Sequence, residues 1–379
     1  MRRLTWLFPT LVAACGGGAA DSPDTDAPIE VDSTTPDGPF VPQDFDCQPD
    51  ATCPELTISG DPLSPSNFSG LGDPSLEHDT DGTIWLSYSW LEEDTLPGNP
   101  TQLHSVATHL ARSTDGGASF DFVRAINVAT PSPGNVGLVM HEVSTLARTP
   151  DGWEDLWLTY ALIPTDTRVE FHYQHTVAAT PDALGTTSEP YLRGTNGTVP
   201  TLLSGPAIAG LEDCLVFTEP ALFAHQGTTY LATTCIVQPG TPSTQRLVLL
   251  RRSGGTLTLV GELLSFADAQ ELGGTRVEQI DISLGKDDSI LAIVTPILDG
   301  SPQPHRGCVV LEIADLATAQ MRRDSDGTLF RRATITGSQL GIGPGLCTYD
   351  RESSTGILMD LTITSPILAF SLRATGIHP

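Results

Sequence analysis

The sequence predicts an all-β protein, a five-bladed β-propeller of four-stranded blades closed by a strand from its N-terminal side. Three observations carry that expectation. Gly (36) and Pro (30) are abundant and charged residues make up only 17% of the 379, a mix that favours short strands and turns over long helices. The stretch Gly72–Trp90 reads as one hairpin: an Asp73-Pro74 opening, an Asp81-Gly82 turn, then alternation that puts Ile84, Leu86, Tyr88 and Trp90 on one face and Trp85, Ser87 and Ser89 on the other. That hairpin recurs with a period of roughly 60–80 residues, the spacing of propeller blades.

The second copy runs from His141-Glu142 through the turn at Pro150-Asp151-Gly152 to Tyr160. The third opens on Glu219-Pro220 and turns at Gln226-Gly227. The fourth opens around Glu278 and turns at Asp287-Asp288, and the fifth opens at Tyr349-Asp350 and turns at Ser354-Gly356. Further strand-like runs follow each hairpin, such as Thr108–Arg112 with Phe120–Val123, and Leu247–Arg251 with Leu257–Val260. The last copy is one strand short before the chain ends. Pro54–Ser59 is expected to supply it and close the ring.

Residues 1–15 read as a processing segment, with Arg2 and Arg3 ahead of a short apolar run that ends in Ala13-Ala14-Cys15. Residues 16–45, poor in aromatics and rich in Asp, Pro and Thr, read as a flexible tether, and 46–379 as the propeller. Setting Cys15 aside leaves Cys47, Cys53, Cys214, Cys235, Cys308 and Cys347, an even set that suits an oxidising compartment. The local pairing is Cys47–Cys53, Cys214–Cys235 and Cys308–Cys347, one of fifteen connectivities that six cysteines allow. A net charge of −27 excludes nucleic acid as a partner, because phosphate binding needs clustered Lys and Arg.

In a propeller the inner strands converge on an axial funnel. The five openings would bring Asp73, Glu142, Glu219, Glu278 and Tyr349 or Asp350 together from distant sequence. Clustered acids raise one another's pKa, and glycosidic cleavage needs a protonated and an ionised carboxyl side by side. His141, Arg276, Tyr349 and Asp350 lie close enough to the same openings to contact a sugar, and Trp90 and Trp153 are candidates for stacking it. Axial oxygens would also suit a structural calcium; no other cofactor is expected. The bland alternative is that Asp73 and Glu219, each before a proline, merely cap turns.

Two resemblances bear on this. Leu11-Val12-Ala13-Ala14-Cys15 resembles the lipobox of bacterial lipoproteins, which implies acylation at Cys15 and a lipid anchor in the cell envelope, at the outer membrane, periplasmic or surface-exposed. The blade openings Asp73-Pro74, Glu142 and Glu219-Pro220 resemble the five-bladed arabinanase and β-xylosidase group of glycoside hydrolases. That resemblance implies Asp73 as general base, Glu142 as the residue that tunes and orients, and Glu219 as general acid. Glu142 departs from the expected Asp. Ser113-Thr114-Asp115-Gly116-Gly117-Ala118-Ser119-Phe120 is similar to the Asp-box of sialidases, with Phe in place of Trp. Sialidase activity fits poorly, since no early Phe/Tyr-Arg-Ile-Pro run exists and Arg148, Arg193, Arg276 and Arg351 do not form its arginine set. The expectation is therefore a surface-anchored monomer that hydrolyses an extracellular polysaccharide; the alternative is a non-catalytic propeller that binds a glycan or a surface protein.

Overall fold

The computed structural model describes residues 41–379 except 50, 65, 96–101, 133–136, 164–166, 365–366 and 378. Cys15, the processing segment and most of the tether lie outside the described residues. Among these residues almost all regular structure is strand, and the one α-helix, Phe266–Glu271, is a single capped turn and a half.

Blade 1 runs Phe68–His78, Ile84–Thr95, Gln102–Ser113 and Phe120–Ala125; blade 2 runs Leu138–Thr149, Gly152–Ile163, Thr167–Ala178 and Glu189–Arg193. Blade 3 runs Val216–His225, Thr228–Ile236, Gln245–Ser253 and Thr256–Leu264. Blade 4 runs Arg276–Leu284, Ile290–Ile297, Cys308–Asp315 and Arg331–Thr336, and blade 5 runs Gly345–Asp350, Thr355–Thr364 and Ile367–Thr375. The first strand of each blade touches the first strands of both neighbouring blades, and these contacts close from blade 5 back to blade 1. The fold is a five-bladed propeller.

Closure is more distributed than one added strand. Glu55 bridges Arg373 antiparallel, with Leu56 N–H donating to Leu372 and Ala374 N–H to Pro54, so the expected segment does flank blade 5. Its continuation, Ile58–Ser59, pairs parallel with Phe120–Asp121 of blade 1. Leu368–Phe370 of blade 5 also pairs parallel with Phe68–Gly70 of blade 1, fusing the two blades into one sheet. Upstream, Gln43–Asp46 adds a parallel edge strand to blade 4.

The alternation read from the sequence has a different meaning in the fold. Ile84, Trp85, Leu86, Ser87, Tyr88 and Ser89 are all buried, because a blade packs on both faces. Ile84, Leu86 and Tyr88 join a core cluster with Ile357, Met359 and Leu372 of blade 5, while Trp85 joins Leu146, Trp153 and Trp157 of blade 2. Each of the five blade interfaces carries one such cluster. The three expected disulfides are present; Cys214–Cys235 ties the start of blade 3 to its second strand, and Cys308–Cys347 joins blades 4 and 5.

Hydroxyl side chains stitch the inner strands around the axis. Ser75 Oγ accepts from Leu146 N–H at 3.0 Å, Thr145 Oγ1 from Leu222 N–H at 2.8 Å, and Thr348 Oγ1 from Leu76 N–H at 3.1 Å. Asp281 accepts from Tyr349 N–H in the same way. The matching position in blade 3 is Ala221, which has no acceptor. There the Asp281 carboxylate turns back and accepts from Ile282 N–H on its own strand.

Candidate active site

Each inner strand carries one residue more than its partner at the same level, and the extra residue forms a β-bulge. At all five bulges a non-glycine residue has positive φ: Asp73 (45°), Val143 (52°), Glu219 (56°), Gln279 (24°) and Leu346 (51°). Such backbone costs of order 1–3 kcal/mol per residue and persists only where packing over-determines it. The bulge also explains the two prolines. Pro74 and Pro220 follow the bulged residue, where a missing N–H removes no ladder bond.

The bulges gather four carboxyls at one end of the axis. Asp73 and Glu219 sit on bulges, and Glu142 and Glu278 immediately precede theirs. The four sense one another's charge: Glu142 and Glu278 both raise the pKa of Asp73, and all three raise that of Glu219. They divide into two kinds. Glu142 is paired with Arg168 at 3.2 Å and accepts from Tyr160 OH at 2.9 Å, and Arg168 also lies over the Tyr160 ring. Glu278 is paired with Arg276 at 3.0 Å, which reaches Asp299 at 3.3 Å, and His305 Nε2 stands 3.9 Å away. Burial pushes Glu278 up, but Arg276 and His305 outweigh it and hold the group ionised below the usual range.

Asp73 and Glu219 have no cation within ion-pair distance among the described residues. Burial, then Glu142, pushes Asp73 up to about 7, against the smaller lowering influence of the Ser89 hydroxyl and the Val143 N–H, the latter donating to Ser89 Oγ at 3.1 Å. Burial, then Glu278 and Asp73, drives Glu219 well above its ordinary value, and its Oε2 is buried without a hydrogen-bond partner among the described residues. The site thus holds two carboxyls raised by burial and by one another's charge, Glu219 the more strongly desolvated and Asp73 poised near neutrality. Such a pair can donate a proton to a leaving oxygen and activate water.

Four expectations are corrected. Tyr349 is core between blades 4 and 5, and Asp350 lies toward the turn end, accepting from Ser353 N–H with His78 at 3.4 Å. The blade 5 bulge falls at Leu346, after Gly345, so that blade supplies no acid to the funnel. His141 is buried, bonded to Thr159 and to the Trp157 indole N–H, and burial brings its pKa down to about 4; it is a neutral core residue. Trp153, at the turn end of blade 2, is also core, whereas Trp90 is half-buried and stacked on His109. Tyr160, Arg168, Ser89 and His305 went unseen because they come from second and third strands, or from a loop, with no motif to mark them.

For a metal, two of the four axial carboxyls, Glu142 and Glu278, are already engaged by Arg168 and Arg276. Among the described residues the one tight cluster of ligand atoms is Asp213 with Cys214 and Cys235, whose sulfurs form a disulfide.

No protein-family model matches the chain, and no curated protein matches it. Solved structures with similar shape include an α-L-arabinofuranosidase from Lactobacillus brevis (11% identity, 84% of this chain and 94% of that one, TM-score 0.49). Others are Zg3597, a family 117 glycoside hydrolase of Zobellia galactanivorans (11%, 85% and 89%, 0.49), and an exo-1,5-α-L-arabinanase from a bovine ruminal metagenomic library (11%, 86% and 94%, 0.46). At this level of likeness no chemistry passes from them to this chain, and the fold rests on the strand pairing and inner-strand ring given above.

Proposed function

We propose that the protein is a glycoside hydrolase acting on an extracellular polysaccharide, with Glu219 as general acid and Asp73 as general base. The observation that carries this is the division of the four funnel carboxyls. Glu142 and Glu278 are neutralised by arginines, while Asp73 and Glu219 are left to share charge with each other. Glu219, desolvated and without a partner for Oε2, is the proton donor to the glycosidic oxygen. Asp73, beside the Ser89 hydroxyl that the Val143 N–H holds in place, takes the proton from the attacking water. Glu142, held by Tyr160 and Arg168, raises and orients Asp73. Arg276 and Glu278 form the blade 4 wall against which the sugar hydroxyls would bond.

The test is reducing-sugar release from a panel of arabinans, xylans and other plant and algal glycans, for the intact chain and for Asp73→Asn and Glu219→Gln. Cleavage of at least one glycan that both substitutions abolish supports the assignment. Cleavage that survives either one overturns it. Binding without product release on every glycan would turn the reading toward a carbohydrate-binding propeller. Anchoring through an acylated Cys15 belongs to the same proposal. It predicts incorporation of labelled fatty acid that Cys15→Ala eliminates.

A further inference from the structure

At the opposite end of the axis the turns of blades 1 and 2 enclose a cleft of about 530 Å³. It lies six or more residues along the inner strand from Asp73, on the order of 20 Å at strand rise, and shares no residue with the funnel. Its construction repeats across the two blades. Trp85 pairs with Arg112 across adjacent strands of blade 1, and Trp153 pairs with Arg148 in blade 2. The two indoles meet edge-on at 6.4 Å and form the floor. Asp79, Asp81 and Asp182 stand among its walls.

We propose that this cleft binds an acidic sugar, a saccharide unit carrying a carboxylate. Arg112 is exposed and has no ion pair among the described residues, although the chain carries 46 acidic residues against 19 Lys and Arg. Arg148 reaches Asp79 only at 3.7 Å, too long for a good charge-assisted hydrogen bond. Trp85 is 4% exposed, and its indole N–H finds no acceptor among the described residues. Two guanidiniums on neighbouring blades line the same cleft, each a planar donor fork that fits a carboxylate. The nearby aspartates accept sugar hydroxyls and disfavour phosphates and other dense anions. The indole edges offer apolar contact for ring C–H groups. A saccharide with one carboxylate per unit satisfies all three features, whereas a neutral sugar leaves Arg112 without a counter-charge.

Isothermal titration of the full chain at low salt with trigalacturonate, and with its neutral galactose counterpart, tests the proposal. The acidic trisaccharide is expected to bind and the neutral one to bind at least about tenfold more weakly, the worth of one charge-assisted hydrogen bond. Arg112→Gln and Arg148→Gln should each weaken trigalacturonate about tenfold or more. Thr180→Asp, which adds a charge at the rim without touching the core, should do the same. Glu219→Gln should bind as wild type does, which separates the cleft from the funnel. Equal affinity for both trisaccharides, no binding of either, or loss through Glu219→Gln with Arg112→Gln unaffected would each overturn the proposal.

Discussion

Asp73 and Glu77 lie four residues apart on one strand, and both are pushed up to about 7, yet they are different kinds of group. Burial is the first cause in each case. Asp73 then feels Glu142 and Glu278, and its neighbours across the funnel include Glu219 with an unpartnered oxygen. Glu77 is instead held by two backbone donors, Arg148 N–H and His78 N–H, and is raised further by Asp350 and Asp281. A raised pKa therefore does not mark the site by itself. What separates the two carboxyl neighbourhoods is whether the acceptor oxygens are already engaged. Both Glu77 oxygens accept backbone N–H groups and hold strands together, whereas beside Asp73 one oxygen of Glu219 has no hydrogen-bond partner among the described residues.

The largest test of that contrast is activity. Asp73→Asn and Glu219→Gln are expected to lower kcat by about 10²–10⁴ on any cleaved glycan, the usual worth of general acid–base catalysis, while Glu77→Gln changes it less than about threefold. Comparable losses at Glu77 would erase the distinction. A smaller effect separates the two electrostatic neighbourhoods. Glu142→Gln removes the leading charge that raises Asp73, so the acidic limb of the pH–rate profile should move to lower pH, with kcat down about tenfold. Asp350→Asn should leave that limb where it is.

Stability provides the third test. Asp73, Glu77, Asp281 (about 6) and Glu219 all have folded pKa values above their unfolded ones. The folded state holds these protons more tightly, so their contribution is complete below the unfolded value near 4, and that of Asp73, Glu77 and Asp281 is lost as pH rises through 6–7. Melting temperature should fall between pH 5 and pH 8, and Glu77→Gln should flatten the decline. A melting temperature that rises across this range would show that these carboxyls titrate normally. The smallest expected effect is at Ala221. Ala221→Ser supplies the missing acceptor in the axial ring and should raise stability by about 0.5–1 kcal/mol in denaturant unfolding.

The blade pattern was legible because each hairpin repeats its own turn chemistry, and turn residues are local. The bulge level was legible only where a residue marks it, as the prolines do after Asp73 and Glu219. In blade 5 the sequence near the bulge is Gly345-Leu346-Cys347, apolar and unmarked, so Tyr349-Asp350 took its place in the reading. Strand alternation could not correct this, because with both faces of a blade buried it distinguishes one neighbour from the other, not height along the axis. Arg168 and Tyr160 were hidden for a related reason. Their place opposite Glu142 depends on the register of hairpin pairing, and no residue type announces register.

The Ala221 position has a mechanical consequence. Blades 1 and 2, 2 and 3, 4 and 5, and 5 and 1 are sewn across the axis by side chains, and the last two junctions carry a disulfide or a continuous sheet as well. Blades 3 and 4 meet at this level through apolar contact alone. The molecule is thus a clasp with its opening at one seam, and Glu219 and Glu278 stand on the two sides of it. The axial amides of Val277–Ile282 should be the first of the five inner strands to exchange with deuterium, so that slow breathing of the ring is felt first at the carboxyls that face each other there.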